Sequence, residues 1–168
     1  MAVVNTKSTT LTNLDAAQVV KAKAFANGAP LKEWIETVLH ASGDSIGSTY
    51  RYFRVPSWTR VSELLVDSPD IGTTGIADIG LYRTAADGGA VVDADFFASA
   101  LALSGGALAN SQAAHESGVV AVADYGKRLW EQLGLAADPQ TYYDVVMTLT
   151  AAHDAAGNVT LRLRGTEV

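Results

Sequence analysis

The chain has 168 residues, 48% of them hydrophobic and 18% charged, a balance that suits one folded domain burying about 70% of its unfolded surface. It has no cysteine, which excludes a disulfide framework, a thiolate metal site and a thiol nucleophile. Its net charge of −6 argues against nucleic acid as a partner, and no run approaches the roughly 20 apolar residues of a membrane span.

Residues 1–32 read as an N-terminal arm rich in Ala, Thr, Asn and Lys. Within it, Asp15 to Ala26 fits either a short helix or an extended arm. The opening residues lack the apolar core of a signal peptide, so synthesis in a cytoplasm is expected. Lys7, Lys21, Lys23 and Lys32 against Asp15 give these residues a net +3. Residues 63–124 hold nine carboxylates against Arg83, a net −8. A basic arm on an acidic body suits protein docking more than phosphate binding, which makes Lys7, Lys21 and Lys23 interface candidates.

Residues 33–168 read as one β-domain. Leu31, Trp34, Ile35, Val38 and Leu39 sit at helical spacing, yet the same stretch also reads as a strand with Ile35, Thr37 and Leu39 inward. Its Trp, Ile, Thr and Val content favours the strand, and the resemblance given below enters that choice. Ser42 to Ser45 is a turn, and Ser48 to Val55 is a strand ended by Pro56. Arg60 to Asp67 and Gly75 to Arg83 are further strands, the latter with Ala77, Ile79 and Leu81 on one face. Asp87-Gly88-Gly89 is a turn.

Asp93 to Leu103 carries Phe96, Phe97, Ala100 and Leu101 at helical spacing and predicts a short helix capped by Asp93 or Asp95. Ser104 to Ser117 predicts a long surface loop, and Gly118 to Ala123 a short apolar strand. Tyr125 to Leu133 predicts one or two helical turns with Leu129, Trp130 and Leu133 inward and Gly134 as the stop. The clearest period of two lies in Tyr142 to Ala151 and Asn158 to Arg164. With His153 to Gly157 between them, these runs predict a hairpin with one wet and one dry face. Six or seven short strands and frequent turns predict an all-β, jelly-roll-like sandwich with an N-terminal arm and one or two short helices.

The chemistry is sparse. Of His40, His115 and His153, only His153 has an adjacent acid, Asp154, and sequence neighbours on a strand or loop point apart. No nucleophile elbow, zinc-protease motif or phosphate-cradling loop is present. No catalytic residue, cofactor or metal site is therefore expected. Asp93 and Asp95, with Asp87, offer oxygens to a hard cation but lack the ligand spacing of a known loop, and the plainer reading is helix capping. Tyr50, Tyr52 and Trp58 suit either a sugar-stacking platform or interface anchors, and Trp34 joins them as an interface candidate. Asn158-Val159-Thr160 has the form of a glycosylation acceptor at a strand start, without a secretion signal.

Several stretches resemble, in order, a known family. They are Gly43-Asp44-Ser45-Ile46-Gly47-Ser48-Thr49-Tyr50-Arg51 running into Arg54-Val55-Pro56-Ser57, then Ala77-Asp78-Ile79-Gly80-Leu81-Tyr82, Val92-Asp93-Ala94-Asp95-Phe96-Phe97-Ala98-Ser99 and Leu129-Trp130-Glu131-Gln132-Leu133-Gly134-Leu135. Together they resemble the capsid cement, or decoration, proteins of short-tailed bacteriophages over roughly residues 33–164. The resemblance implies a jelly-roll-like fold, no catalysis, and a place on the outer surface of the virion. It also implies binding to the major capsid protein and self-association as a homodimer, with a trimer as the other option. A tail or baseplate adaptor and a carbohydrate-binding module are the alternative expectations.

Overall fold

The structure is a computed structural model and describes residues 29–116 and 119–167. The arm lysines Lys7, Lys21 and Lys23, and the Asp15 to Ala26 stretch, lie outside the described residues. Eight strands follow: β1 (Lys32–His40), β2 (Thr49–Pro56), β3 (Thr59–Ser68), β4 (Ile76–Arg83), β5 (Val91–Ala102), β6 (Leu108–Gln112), β7 (Tyr142–Ala151) and β8 (Gly157–Glu167). One helical turn, α1 (Leu129–Gln132), precedes β7.

The strands form two four-stranded antiparallel sheets, the first in the order β1-β8-β3-β6 and the second β2-β7-β4-β5. The chain passes repeatedly from one sheet to the other, and only β4 and β5 are neighbours both in sequence and in a sheet. This is the jelly-roll winding, two sheets sharing one core. Val61, Leu64, Val66, Val159, Leu161 and Leu163 come from the first sheet, and Ala77, Ile79, Leu81, Val145, Met147 and Leu149 from the second; all are buried. Each large aliphatic side chain withdrawn from water contributes about 1.5–3 kcal/mol.

The alternation in β8 is as expected from the sequence; in β7 the inward face is as expected, but Asp144 and Val146 on the expected wet face are buried too, and the two strands do not form a hairpin. β7 pairs with β2 and β4, whereas β8 pairs with β1 and β3. Their dry faces point at each other across the core, so His153 to Gly157 is a crossover between sheets.

Four further expectations are corrected. The stretch expected as a helix from Asp93 is β5, and its acids cap nothing helical. The expected loop from Ser104 contains β6. In place of the expected apolar strand at Gly118, residues 122–124 form a 3-10 turn, with Val119 and Val122 exposed. β1 is a strand, but its parity is inverted: Trp34 and Val38 pack on the core, while Ile35 and Leu39 face solvent. The indole of Trp34 is the largest side chain on the strand, and it claims the interior face. Leu129 is buried at the start of α1, and Gly134 takes the left-handed conformation (φ +70°) that ends it.

Candidate docking surface

The residues proposed from sequence as one aromatic group fall at two ends of the sandwich. β2 carries Tyr50 near its start and Trp58 lies just past its end, so about 20 Å of extended strand separates them. No common sugar platform forms from Tyr50, Tyr52 and Trp58.

At one end, Trp58 caps the β2–β3 turn and meets the first residue of β7, Tyr142, edge to face at 5.6 Å. Tyr142 is 48% exposed. The pair stands on a rigid frame built around the buried Ser57. The Ser57 N–H donates to the Thr141 carbonyl (2.8 Å), and its hydroxyl donates to Asp138 Oδ1 (2.5 Å). The Trp130 N–H donates to the Ser57 carbonyl (3.1 Å), tying α1 to the same turn. Asp138 Oδ1 also accepts from the Gln140 N–H at 2.9 Å, and Gln140 is held at φ +50°, a conformation costly for a side chain with a Cβ. Trp58, Asp138, Gln140 and Tyr142 line an open cavity of about 520 Å³. Aromatic side chains with few rotatable bonds, held on such a frame, lose little entropy when covered, which is why Trp and Tyr recur as interface anchors. The sequence singled out Trp58; Tyr142 was missed because it reads only as the first residue of a strand.

At the other end, Tyr50 and Tyr52 join a buried cluster that no sequence motif announces. His40, the last residue of β1, is fully buried, and its Nδ1 lies 2.9 Å from Nε2 of His153 in the β7–β8 crossover. Its Nε2 lies 2.8 Å from the Tyr52 hydroxyl. Tyr50 stacks on the His40 ring at 3.6 Å and donates its hydroxyl to Asp44 Oδ2 (2.5 Å). The cluster fastens the end of the first sheet to the start of β2 in the second. Burial holds His40 at about 4, aided by neighbouring His153 and opposed by Asp44. Burial also lowers His153, against the pull of Asp44 and Asp154. The Asp44 carboxyl is lowered by the Tyr50 hydroxyl and then by the Ala41 N–H, and burial raises Tyr50 and Tyr52. Both imidazoles are therefore neutral at pH 7, with protons passing one way along the Tyr52–His40–His153 chain. Asp154 is not the partner of His153: its carboxylate accepts from the Thr73 N–H (2.8 Å) and hydroxyl (2.6 Å).

The acids weighed as cation ligands do not converge. Asp87 is paired with Arg83 at 2.8 Å. Asp93 is raised by burial and by Asp95, while Glu116 is raised by burial and by Asp95, Asp93 and Asp78. Among the described residues, no group of three or more metal-ligating side chains is assembled. Among the same residues, no helix is long and apolar enough to cross a membrane.

The stretches that carry the family resemblance form the frame of this molecule. Residues 43–51 close the β1–β2 connection over the histidine pair, and Gly43 N–H donates to the His153 carbonyl (2.9 Å). Arg51 and Arg54 converge on Asp144 at 3.0 and 2.7 Å. Residues 77–82 are the middle of β4, and residues 129–135 support the aromatic end.

No family model matches the chain, and no curated protein matches it. Among solved structures, it is similar to a chain of the cyanophage Pam1 capsid asymmetric unit, at 11% identity and a TM-score of 0.47. The match covers 92% of this chain and 97% of that one.

Proposed function

We propose that this protein is a non-catalytic structural protein of a bacteriophage head, a cement protein docking on the outer surface of the major capsid protein shell. The ordered family stretches support the class. The observation that carries the docking is the Trp58–Tyr142 pair, presented half-open on the Ser57 frame. The buried histidine pair supports the non-catalytic reading, since His40 is fully buried and His153 is 2% exposed, which leaves no room for a substrate. Each docking site need supply only modest affinity, because repeated attachment around a symmetric shell adds through avidity.

The test is co-sedimentation of the full chain with phage heads stripped of their outer proteins. The wild-type chain should bind. Trp58→Ala combined with Tyr142→Ala should weaken binding by at least roughly 30-fold, the effect of losing one interface hot spot, while leaving the melting temperature nearly unchanged. Undiminished binding by the double variant would place docking elsewhere, and no binding by the wild type would sink the capsid reading. A second reading rests on the same cavity: Trp58 and Tyr142 with Asp138 and Gln140 match the stacking and hydrogen-bonding groups of a sugar subsite. Glycan-array binding that is lost in Trp58→Ala would favour it.

A further inference from the structure

Three of the four sheet edges are blunted. β2 has a register shift between Arg51 and Phe53 and ends in Pro56. Along β5 the pairing shifts three times, and Ala100 sits at φ +52°. β6 has five residues, with Asn110 at φ +51°. Bulges, prolines and short strands are the ways natural sheets prevent edge-to-edge pairing.

β1 has no bulge, proline or shortening, and what guards it are the charges of Lys32, Glu33 and Glu36. Its nine residues pair with β8 without a shift from Lys32↔Gly165 to His40↔Gly157. Among the described residues no strand lies on its other edge. The face of β1 turned away from the core presents Ile35 and Leu39, with Leu31 one residue before the strand, at 52%, 62% and 63% exposure. These three side chains are spaced four residues apart and are symmetric about Ile35.

We propose that a second copy of this chain pairs antiparallel with β1 across a two-fold axis at Ile35, joining the two first sheets into one eight-stranded sheet. The geometry follows from the symmetry of a two-fold interface, in which residue i meets j and j meets i. A strand centred on Ile35 puts Leu31 opposite the second copy's Leu39, and Ile35 opposite Ile35. The remaining pairs are Glu33 with Thr37, Trp34 with Glu36 and Lys32 with Val38, so no like charges stand directly opposite. Lys32, already paired with Glu167 of its own chain, lies diagonal to the second copy's Glu36, and the two Glu36 residues lie diagonal to each other. The N–H and C=O groups on the edge away from β8 supply the pairing, and the apolar row fixes its register. This inference does not depend on the capsid reading.

The chain has no cysteine, so single-cysteine variants of the full chain report the register directly. Opposed Cβ atoms in an antiparallel pair lie about 4.5–5.5 Å apart, close to the span of a disulfide. Under mild oxidation Ile35→Cys should cross-link to itself. Leu31→Cys and Leu39→Cys should each stay unlinked alone and cross-link when mixed. In sedimentation equilibrium the wild type should dimerise, and Ile35→Lys should raise the dimer dissociation constant by roughly tenfold or more, with the two chains melting together at dilutions where both are monomeric. A wild type that stays monomeric overturns the proposal. So does Leu31→Cys linking to itself, or a dimer indifferent to Ile35→Lys.

Discussion

Lowering the pH from 8 to 5 should destabilise the fold through His40. Its imidazole sits at about 4 in the folded chain against an ordinary 6.5. Between these values the unfolded chain binds the proton and the folded chain does not, so stability rises with pH. The contribution is complete above the unfolded value and is lost as pH falls toward 4. It amounts to about 3 kcal/mol in full, of which about 2 kcal/mol is gone at pH 5. That is a large part of the 5–15 kcal/mol that typically holds a domain. His153 and His115, both lowered by burial, act with the same sign. Asp93 and Glu116 are raised, so they oppose the loss, beginning as pH falls through their elevated folded values. Asp44, Asp67 and Asp154 are lowered, and their contribution disappears only below about 4. The change in stability from pH 7 to 5 is therefore the histidine loss, less what Asp93 and Glu116 return. Urea unfolding followed by tryptophan fluorescence measures it, and the slope of free energy against urea should not change with pH. His40→Gln should be less stable at pH 7 and show a flatter pH profile. In the wild type, the His40 ring signals in an NMR titration should not move between pH 8 and 5. A stability flat across that range, or a His40 ring titrating near 6.5, would refute the reasoning.

Two substitutions test the core. Leu161→Asp places an unpaired carboxylate at a fully buried site and should cost about 5 kcal/mol or more, whereas Arg162→Asp loses a half-buried ion pair with Asp67 (2.9 Å) and a hydrogen bond to Asn110 (2.8 Å) and should cost about 2 kcal/mol. Equal melting temperatures for the two variants would mean that the inward face of β8 is misassigned. Gly80→Ala should cost about 3 kcal/mol, because its methyl would sit 2.1 Å from the Asp93 carbonyl oxygen, where β5 crosses β4, and backbone cannot step aside as a side chain can. A Gly80→Ala variant that melts with the wild type would show that this crossing is looser than its geometry implies.

The strands legible in the sequence are those with one wet and one dry face. β8 is the clean case, with Val159, Leu161 and Leu163 buried; β4 keeps the apolar period at Ala77, Ile79 and Leu81, but its other face is covered as well at Gly80 and Tyr82. β5 was misread as a helix for a physical reason. Leu81 pairs with Asp93 and Ile79 with Ala98, so two steps on β4 correspond to five on β5. The extra residues let Phe96 and Phe97 both turn inward, and a bulged strand then has the spacing of a helix. β6 carries no apolar alternation at all; its partner β3 and the Gln112 side chain, which accepts from the Leu64 N–H, hold it in place. Val119 and Val122 looked like a strand by composition but stay exposed. Of the site, Trp58 was legible as a lone aromatic at a turn. Its frame was not, because Ser57 and Asp138 are 81 residues apart.

The two failures of greatest consequence share one origin, the winding of the jelly roll. Each sheet takes strands from distant parts of the chain, so the contacts that fasten sheet to sheet are non-local. His40 and His153 lie 113 residues apart, and Arg51 and Asp144 lie 93 apart; neither pair leaves a spacing to read. The inverted parity of β1 has a related cause. A strand with apolar residues on both faces gives no parity signal, and only the core can choose between Trp34 and Ile35. Among the described residues β1 is an edge strand, and with the core taking Trp34 and Val38, Ile35 and Leu39 are left facing out. The feature that defeated the sequence reading is thus the one that marks β1 as a surface shaped for another strand.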